Sequence, residues 1–259
     1  MSELLSRLSA GELAGFVLVL ARVTPLFVIA PLFSSPMIPI RARAVIAVAI
    51  SIGLTPAALY GQHVPSNAVT LAGLVIEGLL VGFGFAFSVA VLLTALESAG
   101  AMIDVVSGFS FGELIAPTSG DDGGVITQFY ALVGTLIFLV LGGDAWMLRG
   151  ISRTFQLVPL TRGPRIVSLV GGAEQVFSGV FASALEIAGP VLLALLMTDV
   201  AFGMVSRVVP QVNVFAVGFP TKVAVALLLV GATLPFTADW IANELPASVT
   251  AALGALHAG

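Results

Sequence analysis

Cysteine is absent from the 259-residue chain. That excludes disulfides, thiolate metal sites and cysteine nucleophiles, and leaves the redox compartment unmarked. Histidine is confined to His63 and His257, so imidazole chemistry has almost nothing to draw on. Charge is scarce: Asp, Glu, Lys and Arg make up 9% of the residues, against about 25% in an average soluble domain. The 10 basic residues are scattered or held in short loops and the net charge is −4, which leaves no basic stripe for nucleic acid. The N-terminus, MSELLSRLSAGELAGF, sets Glu3 and Glu12 beside Arg7 and has no cleavage site after a short apolar core. A removable signal peptide is therefore not expected, and the mature chain is expected to start near Met1.

What is present is apolar surface. Hydrophobic residues make up 58% of the chain and mean hydropathy is +1.12, too little polarity to coat a globule in water. Apolar segments run approximately Leu13–Phe33, Ala44–Tyr60, Thr70–Leu96, Val125–Leu141, Val176–Val205 and Val212–Ile241. A helix needs about 20 apolar residues to cross a bilayer, so roughly six helical spans are predicted. Leu, Ala, Val and Gly dominate without alternation, which favours helices over a membrane barrel. Arg22, Glu77, Glu186, Asp199 and Lys222 interrupt these segments. Each costs about 2.5–3.5 kcal/mol at mid-bilayer, so each should face protein or water.

The basic loops conflict with a simple serpentine. Arg41 and Arg43 precede the second segment, while Arg149, Arg153, Arg162 and Arg165 precede the fifth. In six alternating spans these loops fall on opposite sides, against the excess of Lys and Arg on the cytoplasmic face. Either the rule fails because basic residues are few, or some segments pack as hairpins inside a protein assembly.

The stretch GFSFG, Gly108 to Gly112, spells G-x-S-x-G, the serine-hydrolase elbow. That elbow needs a strand before the serine and a histidine base. The preceding sequence reads as helix, and His63 and His257 lie in a polar turn and near the chain end. Ser110 is therefore read as non-catalytic. Asp121-Asp122-Gly123 lacks the alternating ligands and distal Glu of a calcium loop. Asp144 and Asp199 do not sit in the surroundings of an aspartyl dyad. No catalytic, metal-binding or cofactor-binding set emerges.

The remaining features are mechanical. If the third segment stays helical past Leu96, Glu97 and Asp104 share a face with Thr94 and Ser98 flanking it. That polar stripe suits a water-filled path or an amphipathic exit into solvent. Beyond it, Phe109 and Phe111 on a glycine frame can occlude a pore or pack on a neighbour. Gly78 and Gly82 form a small-xxx-small face for close helix contact. In PQVNVFAVGFPTK, Asn213, Gly218, Pro220 and Lys222 fit a kinked connection or a broken turn that bonds a partner.

Three stretches in order carry a resemblance: ARVTPLFVIAPLFSSPMIPIRARAVIAVAISIGLTP, MIDVVSGFSFGELIAPTSG and VVPQVNVFAVGFPTK. Together they make the chain resemble the FliR family, core export-gate proteins of flagellar type III secretion with injectisome counterparts. The resemblance implies an all-α integral membrane protein, one membrane domain over 1–259, with a plug-type loop at 97–124 and a basic loop at 148–175. It implies helical hairpins lifted from the bilayer plane, and no enzymatic activity or cofactor. The implied function is a structural and gating subunit of the protein-export channel, in the bacterial inner membrane at the flagellar basal body. The alternatives are an injectisome gate subunit and an ion-coupled transporter using Glu77, Glu186 and Asp199. Implied partners are FliP-like, FliQ-like and FlhB-like subunits, membrane lipid, and unfolded substrates in transit.

Carried over, the plug comprises Gly108, Phe109, Ser110, Phe111, Gly112 and Pro117. Glu97 and Asp104 are channel-lining candidates. Arg22, Arg41, Gly78, Gly82, Asn213, Gly218, Pro220 and Lys222 are candidates for subunit contact. Expressed alone, the chain is expected to be unstable, with Arg22, Glu186 and Lys222 lacking partners. Where family members often carry histidine after the glycine pair, GGDAWMLRG has Asp144, so no role is carried over there.

Overall fold

A computed structural model describes residues 10–30, 32–34, 38–65, 67–110, 123–211 and 213–257. Among them are seven helices and no strand: α1 (Ala10–Ile29), α2 (Ile40–Leu59), α3 (Ala68–Ser107), α4 (Val125–Val140), α5 (Gly143–Leu157), α6 (Ile166–Val208) and α7 (Val214–His257). Five of these are long and apolar enough to cross a membrane, or six if α4 and α5 count as one broken span. The expectation of about six apolar helical segments therefore stands.

Helix length departs from the sequence reading. α3, α6 and α7 have 40, 43 and 44 residues, about 60–66 Å each at 1.5 Å per residue. That is twice the roughly 30 Å of a hydrocarbon core. Hydropathy located their apolar middles, while the flanks stay helical through one-sided burial. In α7, Leu245, Val249, Ala252 and Leu256 repeat at helical spacing and are buried.

Only residues 158–165 of the expected basic loop at 148–175 are a loop. Residues through Leu157 belong to α5, and α6 begins at Ile166. α5 buries Met147, Ile151, Thr154 and Phe155 and exposes Arg149, Arg153 and Gln156. Its amphipathic repeat is masked in a hydropathy scan by Arg149 and Arg153.

The chain forms two compact units. One takes in Met1–Val91, Gly142–Phe177 and Glu244–Gly259; the other takes in Leu92–Leu141 and Ser178–Asn243. In the first, α1 and α2 fold back on each other, so that Gly15 near the start of α1 meets Leu59 at the end of α2. The opening half of α3 lies on α1, and Val81 packs with Val158 and Leu256. In the second, α4 buries Ile126, Tyr130, Gly134 and Phe138, one residue per turn. There Gly134 leaves room for Leu93 and Leu96 of α3.

Polar side chains inside these apolar helices are satisfied locally. Thr24 and Thr55, each followed by proline, donate to the carbonyls of Leu20 and Ser51 at 2.7 and 2.6 Å. Ser51, Thr135 and Thr198 do the same one turn back. Bonding the i−4 carbonyl spares the hydroxyl an unpaired burial.

Candidate functional site

The most specific geometry surrounds the segment that joins α3 to α4. α3 ends at Ser107, and Gly108 adopts φ 94°, the left-handed conformation in which glycine closes helices. Its N–H bonds the Asp104 carbonyl at 3.1 Å, and that of Ser110 reaches the same oxygen at 3.4 Å. Phe109 is half-buried. Phe111, Gly112 and Pro117, the rest of the expected plug, lie outside the described residues.

Asp104 is only 2% exposed. One carboxylate oxygen accepts the N–H of Ile126 at 2.9 Å; the other accepts the N–H and hydroxyl of Thr127 at 2.8 and 2.7 Å. These are first-turn donors of α4, which a capping side chain normally takes. The N-cap position is Gly124, which has no side chain to offer, so Asp104 supplies the cap from the neighbouring helix. A Cβ on Gly124 would collide with the Asp104 carboxylate, and one on Gly100 would sit 2.6 Å from the Thr127 Cα. The two glycines let α3 approach the start of α4 closely enough for the carboxylate to reach. The helix N-terminus is where a negative charge is favoured.

The expected polar stripe is real as a face. Thr94, Glu97, Ser98, Asp104 and Ser110 line a cavity of about 370 Å³ together with Gly124 and Thr127. Glu97 is exposed on its wall. Asp104, expected beside Glu97 as a channel-lining residue, is buried and spends both carboxylate oxygens on the cap of α4. The Ser110 hydroxyl is buried and has no hydrogen-bond partner among the described residues. The ionisable groups lining this cavity are Glu97 and Asp104, and Asp104 is committed to α4. Among the described residues that line the cavity, none is a histidine.

Arg22 also requires correction. It is 1% exposed, and its Nη1 donates to the carbonyls of Thr154 and Val158 at 3.1 and 2.7 Å. These carbonyls close the C-terminal end of α5, where a cation is favoured by the helix dipole. The guanidinium also lies 4.8 Å from the centre of the Phe155 ring, a cation–π arrangement. The charge is met inside the chain, so Arg22 is neither unpartnered nor a subunit contact. Gly78 and Gly82 follow the same logic. Gly78 faces Leu18 and Ala21, and a Cβ on Gly82 would run into the Arg22 carbonyl. Their close helix contact is with α1 of the same chain.

Asn213 caps α7 through its Oδ1, which accepts the N–H of Ala216 at 3.1 Å. Lys222 is paired as well: its Nζ lies 2.9 Å from both Asp199 oxygens, so the expectation that it lacks a partner is wrong. Arg41 and Pro220 are exposed, and Gly218 is buried. The residues that sequence reasoning missed are Gly100, Gly124 and Thr127. One signal for them was present: Gly100, Asp104 and Gly108 recur every four residues, placing an acid between two small residues on one helix face.

The pattern of bacterial export proteins, family 1, matches residues 13–247. The flagellar biosynthetic protein FliR of Pectobacterium carotovorum is 28% identical over 83% of this chain and 82% of its own length. FliR of Escherichia coli is 27% identical over 85% of this chain and 84% of its own. The surface presentation of antigens protein SpaR of Salmonella typhimurium is 28% identical over 81% and 78%. With the match extending from α1 into the last third of α7, the chain belongs to the bacterial export proteins, family 1.

Proposed function

We propose that this chain is a structural and gating subunit of a type III protein-export channel that serves flagellum assembly, located in the bacterial inner membrane. The family match across residues 13–247, with FliR relatives aligned over more than four-fifths of the chain, carries this reading. It acts without catalysis, alongside FliP-like, FliQ-like and FlhB-like subunits, and unfolded substrates pass through the assembly. The segment from Gly108 to Gly120 is the plug. Supporting that role, the described ends of the segment are held together by Asp104 and bracketed by Gly108 and Gly123, both at positive φ. Gly78, Gly82 and Arg22 build the subunit itself, leaving Arg41, Asn213, Pro220 and Lys222 as its accessible candidate contacts, with Gly218 buried beside them.

Removing the gene from its native host and measuring filament-protein export and swimming tests the function. Loss of both, restored by the intact gene, is expected; undiminished export overturns it. Deleting Ser110 through Ser119 in the assembled complex tests the plug, and ion conductance above wild type is expected. An injectisome role is the second reading, favoured by the SpaR relative at the same level of identity as the FliR relatives. It predicts normal swimming with loss of effector secretion instead.

A further inference from the structure

We propose that the cavity between the C-terminal ends of α2 and α5 binds one anionic phospholipid, whose phosphate is held by Arg149, Arg153 and Arg162. The site requires only that α2 cross a bilayer, so it is independent of the export reading.

The cavity has a volume of about 500 Å³, within the range of small-ligand sites. Its lining has two characters. Leu54, Ala57 and Phe155 form an apolar side, while Gln62, Ser152 and Gln156 form a polar one. Gln62 ties the two helix ends together. Its Oε1 accepts the N–H of Leu160 at 2.8 Å, and its Nε2 donates to the Ala58 carbonyl at 3.0 Å. Nε2 carries a second hydrogen that neither bond uses. No carboxylate lines the cavity.

Cations gather at its rim. Arg149, Ser152, Arg153 and Gln156 share one face of α5, and two members of that face line the cavity. Arg149 and Arg153 are both exposed. They stand one turn apart, about 5–6 Å between Cβ atoms, so both guanidiniums can reach one phosphate. The N–H of Arg162 donates to the carbonyl of Pro159, a lining residue, at 3.2 Å. That turn brings a third exposed arginine to the same end of α5. The ion pair found among the described residues joins Lys222 and Asp199, so none of the three is spent on a carboxylate of this chain. A guanidinium matches phosphate oxygens with paired hydrogen bonds.

The surroundings favour a lipid over other anions. The 20 residues of α2 rise about 30 Å, the thickness of a hydrocarbon core. Val45, Ile46, Val48 and Ile52 are exposed along that length, and the cavity lies at its end, where headgroups begin. Tyr60, 89% exposed there, is a residue type enriched at membrane boundaries. A free phosphate makes no use of Leu54, Ala57 and Phe155, and a lipid without net charge leaves the arginines unanswered. An anionic phospholipid meets both: its glycerol ester region and the first carbons of one chain enter the cavity, and its phosphate meets the arginines.

The test uses the complex isolated from its native host in lipid nanodiscs. Phosphatidylglycerol and phosphatidylcholine, each with a diazirine near the ester end of one chain, are supplied in turn. After illumination, mass spectrometry reads the label on the peptides around residues 54–62 and 152–159. Labelling by phosphatidylglycerol should exceed that by phosphatidylcholine roughly tenfold, and Arg149→Gln combined with Arg153→Gln should bring the ratio near one. Ala57→Trp, which fills the apolar side, should cut labelling by both lipids roughly fivefold. Equal labelling by the two lipids in the wild type overturns the inference, as does an unchanged ratio in the arginine variant. Absence of label from both peptides, in a complex labelled elsewhere, means that protein or water covers the cavity and overturns it too. Displacement of the lipid by millimolar glycerol 3-phosphate marks a site for soluble phosphate and overturns the lipid. Should the paired variant fail to assemble, Arg153→Gln alone is read by the same ratio, which should fall roughly threefold.

Discussion

The Asp104 carboxylate lies 2.8 Å from the backbone N–H of Thr127, across 23 positions of sequence. One side chain of α3 therefore does for α4 what a local serine or aspartate does for most helices. It also fixes how far apart the two ends of the intervening segment sit. Asp104→Ala should cost about 2–4 kcal/mol, combining a lost cap with buried donors left unpaired. Thr127→Val, which removes only the hydroxyl bond, should cost about 1 kcal/mol. Hydrogen exchange at Ile126 and Thr127 reads this directly. Unchanged protection in Asp104→Ala would contradict the assigned cap.

Arg22 should tolerate little. Arg22→Ala removes the guanidinium donor from the Val158 and Thr154 carbonyls, the latter keeping the N–H of Val158, and opens a cavity beside Phe155, a loss of about 3 kcal/mol or more. Arg22→Lys keeps the charge but gives up the planar stacking on Phe155, worth about 1–2 kcal/mol. Resistance of the detergent-solubilised protein to thermal unfolding ranks the variants. Equal stability of wild type and Arg22→Ala would show that the buried guanidinium is dispensable.

Three glycines of α3 should separate cleanly. Gly82→Ala drives a methyl group into the Arg22 carbonyl and should destabilise by about 1–3 kcal/mol. At Gly78 the nearest atom to an added Cβ is 3.5 Å away, an ordinary contact, and alanine should be tolerated. Gly73 has nothing within 4 Å, so Gly73→Ala should stabilise the helix by about 0.5–1 kcal/mol. Chemical denaturation of the three variants gives the order, and a Gly82→Ala as stable as Gly73→Ala would refute the close approach of α1.

The helical class was legible in the sequence because lipid and core both demand apolar residues, and hydropathy registers them without saying which. The same blindness hid the interior of the chain. Arg22, Gly78 and Gly82 looked like contacts reserved for other subunits. Their partners, Thr154 and Val158 for the arginine and α1 for the glycines, are distant in sequence, and no local pattern points to them. α5 escaped for a different reason: its short inward stripe of Met147, Ile151 and Phe155 is interrupted by Arg149, Ser152 and Arg153, which lower its hydropathy. Asn213 was visible as a polar residue in an apolar setting, but as a helix cap it is explained by the N–H groups three positions later.

Ser110→Ala should leave export and swimming at wild-type levels. The hydroxyl is buried and has no hydrogen-bond partner among the described residues, so its removal should be neutral or stabilising by up to about 1 kcal/mol. Loss of export equal to that of a gene deletion, in a complex that still assembles, would restore a chemical role to the GFSFG stretch.

The bond between Arg22 and Val158 also sets a schedule. Its partners are 136 residues apart, and at about 5–20 residues per second a ribosome needs roughly 7–27 s to deliver the second after the first. Through that interval the earliest span of the chain holds a guanidinium with no permanent seat. Its final position is settled only once α5 has emerged, so α1, though made well before α5, is locked only after it. A nascent chain stalled before Val158 leaves that charge without the carbonyl that holds it at 2.7 Å in the finished fold.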